Sequence, residues 1–266
     1  MFNLIKNEIY KIFKTKKIYV FMLVIFIYNF LPVLEQVTGA IEEADVVING
    51  QNIAFYMLNF MITNIMPIFI IVSISDMITG EYVNGTLILP LTHSVSRIKL
   101  LTAKIIALFI PLAILLLFSL VLSYALGTAI FGWGDQFIFQ EVDQPLQSAV
   151  VYSTQEGIIV TFASYMLSIF PLLAFGMMIM LLALHFNSSG VTVGISIGLL
   201  IFLSILGSAV ERLMPYLITN GFSLFKILYI SRDMGEFIAT SIVTAVYAIA
   251  FFLASVYIFN KKDLTY

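Results

Sequence analysis

Long apolar runs separated by short polar breaks dominate this chain. Six of them reach the length of a membrane helix, about 20 mostly apolar residues: 18–37, 53–76, 100–127, 157–184, 190–209 and 237–259. The shortest break, His185-Phe186-Asn187-Ser188-Ser189, is enough for a tight turn between the fourth and fifth runs. The pattern predicts an all-α membrane protein, six transmembrane helices forming a single domain over 1–266.

Other segments are periodic without being long enough to span. Within 2–16, Phe2, Ile5, Ile9, Ile12 and Phe13 share one helical face, and Asn3, Asn7, Lys11 and Lys14 the opposite one. Such a helix lies in the membrane plane, with its apolar face in the acyl boundary and its lysines at anionic headgroups. It anchors the chain, or it also touches a cytoplasmic partner. Between the fifth and sixth runs, 210–236 is too apolar for an ordinary loop. It predicts a short helical hairpin broken at Asn220-Gly221 and dipping into the outer leaflet, where irregular backbone must be buried against protein. Its role is a cap over the bundle or a gate. Residues 128–156, rich in glycine and acids, predict an exposed outer loop in which Trp133 is an interfacial anchor.

Charge orients this arrangement. Ten of the thirteen basic residues sit in the first seventeen residues, around 79–104, or in the last six. The segments 38–52 and 128–156 hold no Lys or Arg but carry Glu42, Glu43, Asp45, Asp135, Glu141, Asp143 and Glu156. Basic residues mark the cytoplasmic side of short loops. Both termini and the 77–99 loop are therefore expected inside a cytoplasmic membrane. Arg212, Lys226 and Arg232 run against this bias, with Glu211, Asp233 and Glu236 near enough to pair with them. The first run resembles a signal peptide, with a cleavage site near Val37-Thr38-Gly39-Ala40. It is longer than a usual h-region and five more runs follow, so it is read as a retained span.

Composition removes several function classes. The chain is 61% hydrophobic and 11% charged, against about 25% charged in soluble domains. With no cysteine there is no disulfide or thiolate metal site. No basic domain suits nucleic acid. His93 and His185 are far apart in sequence and read as interfacial residues rather than metal ligands. No cofactor is expected, and no catalytic dyad is apparent.

Polar groups inside the runs are candidates for function. Asn59, Thr63 and Asn64 lie in the second, ahead of Pro67, which leaves the Thr63 carbonyl without its helical donor. Ser164 and Ser168 lie in the fourth, ahead of Pro171. These groups either join helices by hydrogen bonds or line a pathway. No carboxylate sits at mid-span, which weighs against an ion-coupled transporter. The fifth run carries Gly190, Gly194 and Gly198, a tandem GxxxG face that packs within the subunit or against a second copy.

The segment 79–98 is the most informative. Gly80 and Gly85-Thr86 have P-loop spacing, but the lysine that grips phosphate is absent, so ATP binding in this chain is rejected. Asn84-Gly-Thr and Asn187-Ser-Ser match a glycosylation pattern but fall on the inner side. The run Glu81-Tyr82-x-Asn84-Gly85-Thr86-Leu87, then Ser96-Arg97 and Lys104 opening the third span, resembles the permease subunits of type II ABC exporters. The N-terminal Asn3-Leu4-Ile5-Lys6-Asn7-Glu8-Ile9-Tyr10-Lys11 is also similar to the leading helix of such permeases. Where the family often has proline two residues before Ser-Arg, this chain has Ser94, and its nearest proline is Pro90. The resemblance implies a short cytoplasmic coupling helix over 79–95, with Glu81 near its start to suit the helix dipole. Glu81, Asn84, Gly85, Thr86 and Arg97 would dock an ATPase subunit. It further implies two such ATPases, a second permease copy, identical or related, and hydrolysis on the partner rather than here. An amphiphilic or peptide-like substrate, such as an antimicrobial peptide, fits the scarcity of mid-span charge. The rival reading is an ATP-independent channel or secondary transporter.

Overall fold

Every apolar run folds as helix. The computed structural model describes residues 1–38, 48–87, 95–139 and 149–262. Glu42, Glu43, Asp45, Pro90, His93, Ser94, Glu141 and Asp143 lie outside the described residues. Helix α1 (Phe2–Lys14) leads into α2 (Lys17–Thr38) through a bend of 59°. Then come α3 (Ile53–Val83) and α4 (Arg97–Phe131), followed by strands β1 (Phe137–Phe139) and β2 (Val150–Tyr152). Helices α5 (Thr154–His185), α6 (Ser189–Ala209) and α7 (Met234–Lys261) complete the chain. Five of these, α3 to α7, are long and apolar enough to cross a membrane, and the bent α1–α2 pair is a candidate for one more.

Helices α3 and α4 run longer than their apolar runs. At 31 and 35 residues, α3 and α4 are about 46 and 52 Å long, well beyond a hydrocarbon core of about 30 Å. Their ends therefore carry polar groups clear of the lipid tails. Helix α3 absorbs its proline through a π-turn at Met61–Ile65, just before Pro67, and has a second π-turn at Asp76–Gly80. Helix α5 opens with a full capping box between Ser153 and Glu156 and continues as helix past Pro171.

Burial separates an inside from an outside. In the most apolar stretches of α3 and α5, 61% and 67% of positions are buried, against 17% in α6 and in α7. Phe55, Phe69, Tyr165 and Phe175 fill the centre. Outward, α7 presents Ile238, Ile242, Val246, Ile249, Leu253 and Tyr257 at spacings of three and four. Such a continuous exposed apolar stripe suits lipid rather than water.

Two expectations are corrected. The described part of 128–156 is not a free loop. Helix α4 continues to Phe131, and β1 pairs antiparallel with β2, Phe137 opposite Tyr152. Phe137 and Phe139 are buried edge-on against Phe55 at 5.8 and 5.0 Å. Asn49, Gln51 and Asn52 hold this flap by donating to the carbonyls of Gln136, Gly134 and Ile138. In 210–236 the break is not at Asn220-Gly221. It falls at Leu217, whose backbone is extended, between 3-10 turns at Glu211–Tyr216 and Ile218–Ser223. Gly221 lies inside the second turn, where a Cβ would come within 2.8 Å of the Thr244 hydroxyl and 3.2 Å of Pro171. Close packing, not a bend, is what requires glycine there.

Candidate functional site: a ring of four charges at one end of the bundle

Helix α3 is stopped by its own sequence. Gly85 has φ +69°, a conformation that suits glycine. Its amide donates to the Tyr82 carbonyl and that of Thr86 to the Glu81 carbonyl, both at 3.0 Å. This is a Schellman terminator, which satisfies carbonyls a helix end leaves orphaned. Asn84-Gly85-Thr86 thus acts as a stop signal. Glu81 is consequently in the last turn of α3, and not at the start of a separate docking helix where the resemblance places it. A carboxylate is unfavourable at that end of the helix dipole, so it needs cations.

Two lysines supply them. Glu81 takes Lys11 of α1 on one carboxylate oxygen at 2.7 Å and Lys104 of α4 on the other at 2.8 Å. Glu8 of α1 takes the same two lysines, Lys11 at 2.8 Å and Lys104 at 2.7 Å. The four groups form a closed, alternating, neutral ring. Each carboxylate uses both oxygens, and each ammonium uses two of its three donors. Glu8 is 1% and Lys104 2% exposed. Burial alone would raise the Glu8 carboxyl, but the charge and hydrogen bond of Lys104, with those of Lys11, bring it below its ordinary value. Burial alone would lower the Lys11 ammonium, but its bonds to Glu8 and Glu81 raise it.

This ring changes the reading of α1. Its inward stripe runs through Leu4, Ile5, Glu8 and Ile12, packed on the bundle, with Phe2 and Tyr10 left outside. Lys11 was expected at headgroups and instead faces protein. The signal in the sequence was Glu8 itself, which falls between Ile5 and Ile12 on the apolar face. Lys104 gave a second one, two turns inside an otherwise apolar helix.

The neighbouring helix ends are tied to the same region. Ser96 caps α4, its hydroxyl accepting from the Lys99 amide. Arg97 donates to the carbonyls of Phe259 and Lys262 at the end of α7, and its guanidinium sits 5.4 Å from the Phe259 ring. Lys262 donates to the Leu184 carbonyl at 2.8 Å, ending α5, and lies over the Tyr82 ring at 4.2 Å. Thr79 donates to the Ala183 carbonyl at 2.8 Å. The N-terminal helix, the end of α3, the start of α4 and the C-terminal end of α7 therefore share one end of the bundle.

The other predicted positions are scattered. Asn84 and Thr86 are exposed on the terminator. Asn59 and Thr63 border a cleft between α3, the C-terminal half of α6 and the segment after it, and Asn64 is exposed beside them. Ser164 and Ser168 lie elsewhere, buried inside the bundle, donating to the Val160 and Ser164 carbonyls of their own helix at 2.7 and 2.6 Å. A Cβ at Gly190, Gly194 or Gly198 would meet nothing within 4 Å, so this face is open rather than packed within the subunit. His185 is exposed beside Phe186. Among the described residues no group of three or more His, Asp and Glu is placed to hold a metal. Sequence reading also missed a buried polar contact near mid-bundle, where Asn29 of α2 accepts from Ser123 and lies 3.5 Å from Ser119 of α4.

A family described as "Protein of unknown function (DUF2705)" matches residues 18–265, which include Glu81 and Lys104 but not Glu8 and Lys11. No curated protein matches the chain.

Proposed function

We propose that this chain, which belongs to the DUF2705 family, is the membrane-spanning subunit of an ATP-driven exporter of the type II ABC class. The observation that carries this reading is the charge ring. It clamps the end of α3 and the start of α4 to the amphipathic α1, so the segment joining α3 to α4 is held at both ends. A push on that segment moves two spanning helices and α1 as one body. An ATPase needs such a joint to act on a membrane partner. The resemblance of 81–104 to exporter permeases supports the same reading.

In this account α2 spans the membrane with α3 to α7, giving six spans. Lys6, Lys14 and Lys16 in and just after α1, with Lys261 at the end of α7, support a cytoplasmic position for this end in a bacterial cell, both termini inside. Two ATPase subunits dock around Asn84, Gly85 and Thr86, and hydrolysis occurs on them. A second permease, identical or related, packs on the open glycine face of α6, where helix backbones can approach closely. The substrate is amphiphilic or peptide-like.

Affinity purification in mild detergent tests this reading. An ABC-type ATPase should co-purify with the tagged chain in near-equal amount. Its absence under conditions that keep the chain monodisperse favours a channel or secondary transporter instead.

A further inference from the structure

A cleft of about 180 Å³ lies in the elbow between α1 and α2, against the inner-end π-turn of α3. Its floor is apolar: Ile12, Ile18, Phe69 and Met77. Its rim is charged with both signs. Lys17 and Asp76 face each other there as an ion pair, and Lys11 and Glu81 of the ring complete it.

The two pairs differ in how available they are. Lys11 and Glu81 are held in the ring. Lys17 and Asp76 are 45% and 38% exposed, and among the described residues each is the other's ion-pair partner. An exposed pair of that kind contributes little, about 0–1 kcal/mol, so a ligand can exchange with it at small loss. A purely anionic ligand would leave Asp76 facing a negative charge, and a purely cationic one would leave Lys17 unmatched. A ligand with a phosphate and a primary ammonium satisfies both. The phosphate accepts from Lys17 and from the third donor of Lys11, and the ammonium donates to Asp76. The apolar floor takes the first methylenes of a chain. An amphipathic α1 at the membrane surface places this elbow at headgroup depth.

We infer that the elbow cleft binds a phospholipid whose headgroup carries a phosphate and a primary ammonium, of the phosphatidylethanolamine type. The site rests on α1 lying at the bilayer surface and not on the exporter reading. It ties the joint around the ring to the lipid composition of one leaflet.

Native mass spectrometry of the purified, detergent-solubilised chain tests this, with phosphatidylethanolamine, phosphatidylcholine and phosphatidylglycerol added at equal concentration. The wild type should prefer phosphatidylethanolamine by about tenfold, equivalent to about 1.4 kcal/mol. Phosphatidylcholine cannot donate to Asp76, and phosphatidylglycerol has no cation. Asp76→Asn should abolish that preference while leaving the protein monodisperse. Lys17→Gln should weaken phosphatidylethanolamine and phosphatidylglycerol alike. Equal binding of the three lipids by the wild type overturns the proposal, as does an unchanged preference in Asp76→Asn. Preference for phosphatidylglycerol would make it a plain lysine site and overturn it too. Competition by soluble phosphoethanolamine at the same concentration as the lipid would show that the floor plays no part, and would overturn the lipid assignment. None of these outcomes bears on whether an ATPase co-purifies.

Discussion

Lys104 stands two turns inside an apolar helix, 2% exposed, with both of its ion-pair partners on other elements. Removing one member of a buried ion pair typically costs about 3–5 kcal/mol, because the other charge is left without compensation. Lys104→Met should therefore lower the melting temperature in detergent sharply, since the buried Glu8 and the partly buried Glu81 are then left to share Lys11 alone. Glu8→Leu with Lys104→Met should recover most of that loss, leaving Lys11 and Glu81 paired. If the double variant is as unstable as the two single losses added together, the residues do not act as a unit. The same ring predicts a pH dependence. The Glu8 carboxyl lies below its ordinary value of 4.5 in the fold. Its contribution is therefore full above that value and is lost as pH falls through the depressed one. Lys11 is raised above 10.5, so its contribution is full below that value and is lost only as pH rises through the raised one. Melting temperature should fall on the acid side, starting near pH 4.5, and Glu8→Gln should flatten that fall. A wild type and variant with parallel acid limbs would remove Glu8 from the account.

At the scale of elements, Gly85 ends α3 in a left-handed conformation with nothing within 4 Å of a would-be Cβ. Substitution there meets strain, not a clash. Gly85→Val should destabilise the terminator by about 1–2 kcal/mol, and Gly85→Asn by less, because asparagine tolerates this geometry. Hydrogen exchange at the amides of Gly85 and Thr86 reads the difference, and equal protection in both variants would mean the terminator is not held by glycine. The glycine face of α6 calls for a different substitution. Gly194→Leu meets open space within the subunit, so monomer stability should hold while a dimer, measured by light scattering in mild detergent, is lost. A stable dimer in that variant would place the subunit contact elsewhere.

Much at this scale was legible. The five helices α3 to α7 fall on their apolar runs because a spanning helix leaves a long, unbroken signal. The helix ends were harder. Glu81-Tyr82-Val83 and Arg97-Ile98-Lys99 are too polar to belong to an apolar run, yet they extend α3 and α4 because tertiary partners hold them. The coupling helix over 79–95 is implied by the resemblance alone, and the start of that segment instead ends α3. The ring was illegible as a unit, since its members come from α1, α3 and α4 and its pairs between helices lie 23, 70 and 96 positions apart. Only Glu8 and Lys104, each out of place in its own pattern, pointed to it. The strand pair Phe137–Phe139 and Val150–Tyr152 was missed because two three-residue strands give no periodic signal.

For the whole molecule, the ring, the α3 terminator and the Arg97 and Lys262 contacts gather both ends of the chain at one end of the bundle. The topology proposed from the lysines can be checked directly, since the chain has no native cysteine. A cysteine at Val151 should react with an impermeant reagent outside intact cells, and one at Asn84 should not. Reaction at Asn84 would reverse the orientation. The account centres on force passing from an ATPase through the ring into α3 and α4. ATP hydrolysis by the co-purified complex in lipid measures that most directly, comparing the wild type with the Glu8→Leu, Lys104→Met double variant. The double variant should fold and retain its ATPase but lose most of the substrate-stimulated rate. Wild-type stimulation in a complex without the ring would contradict the account.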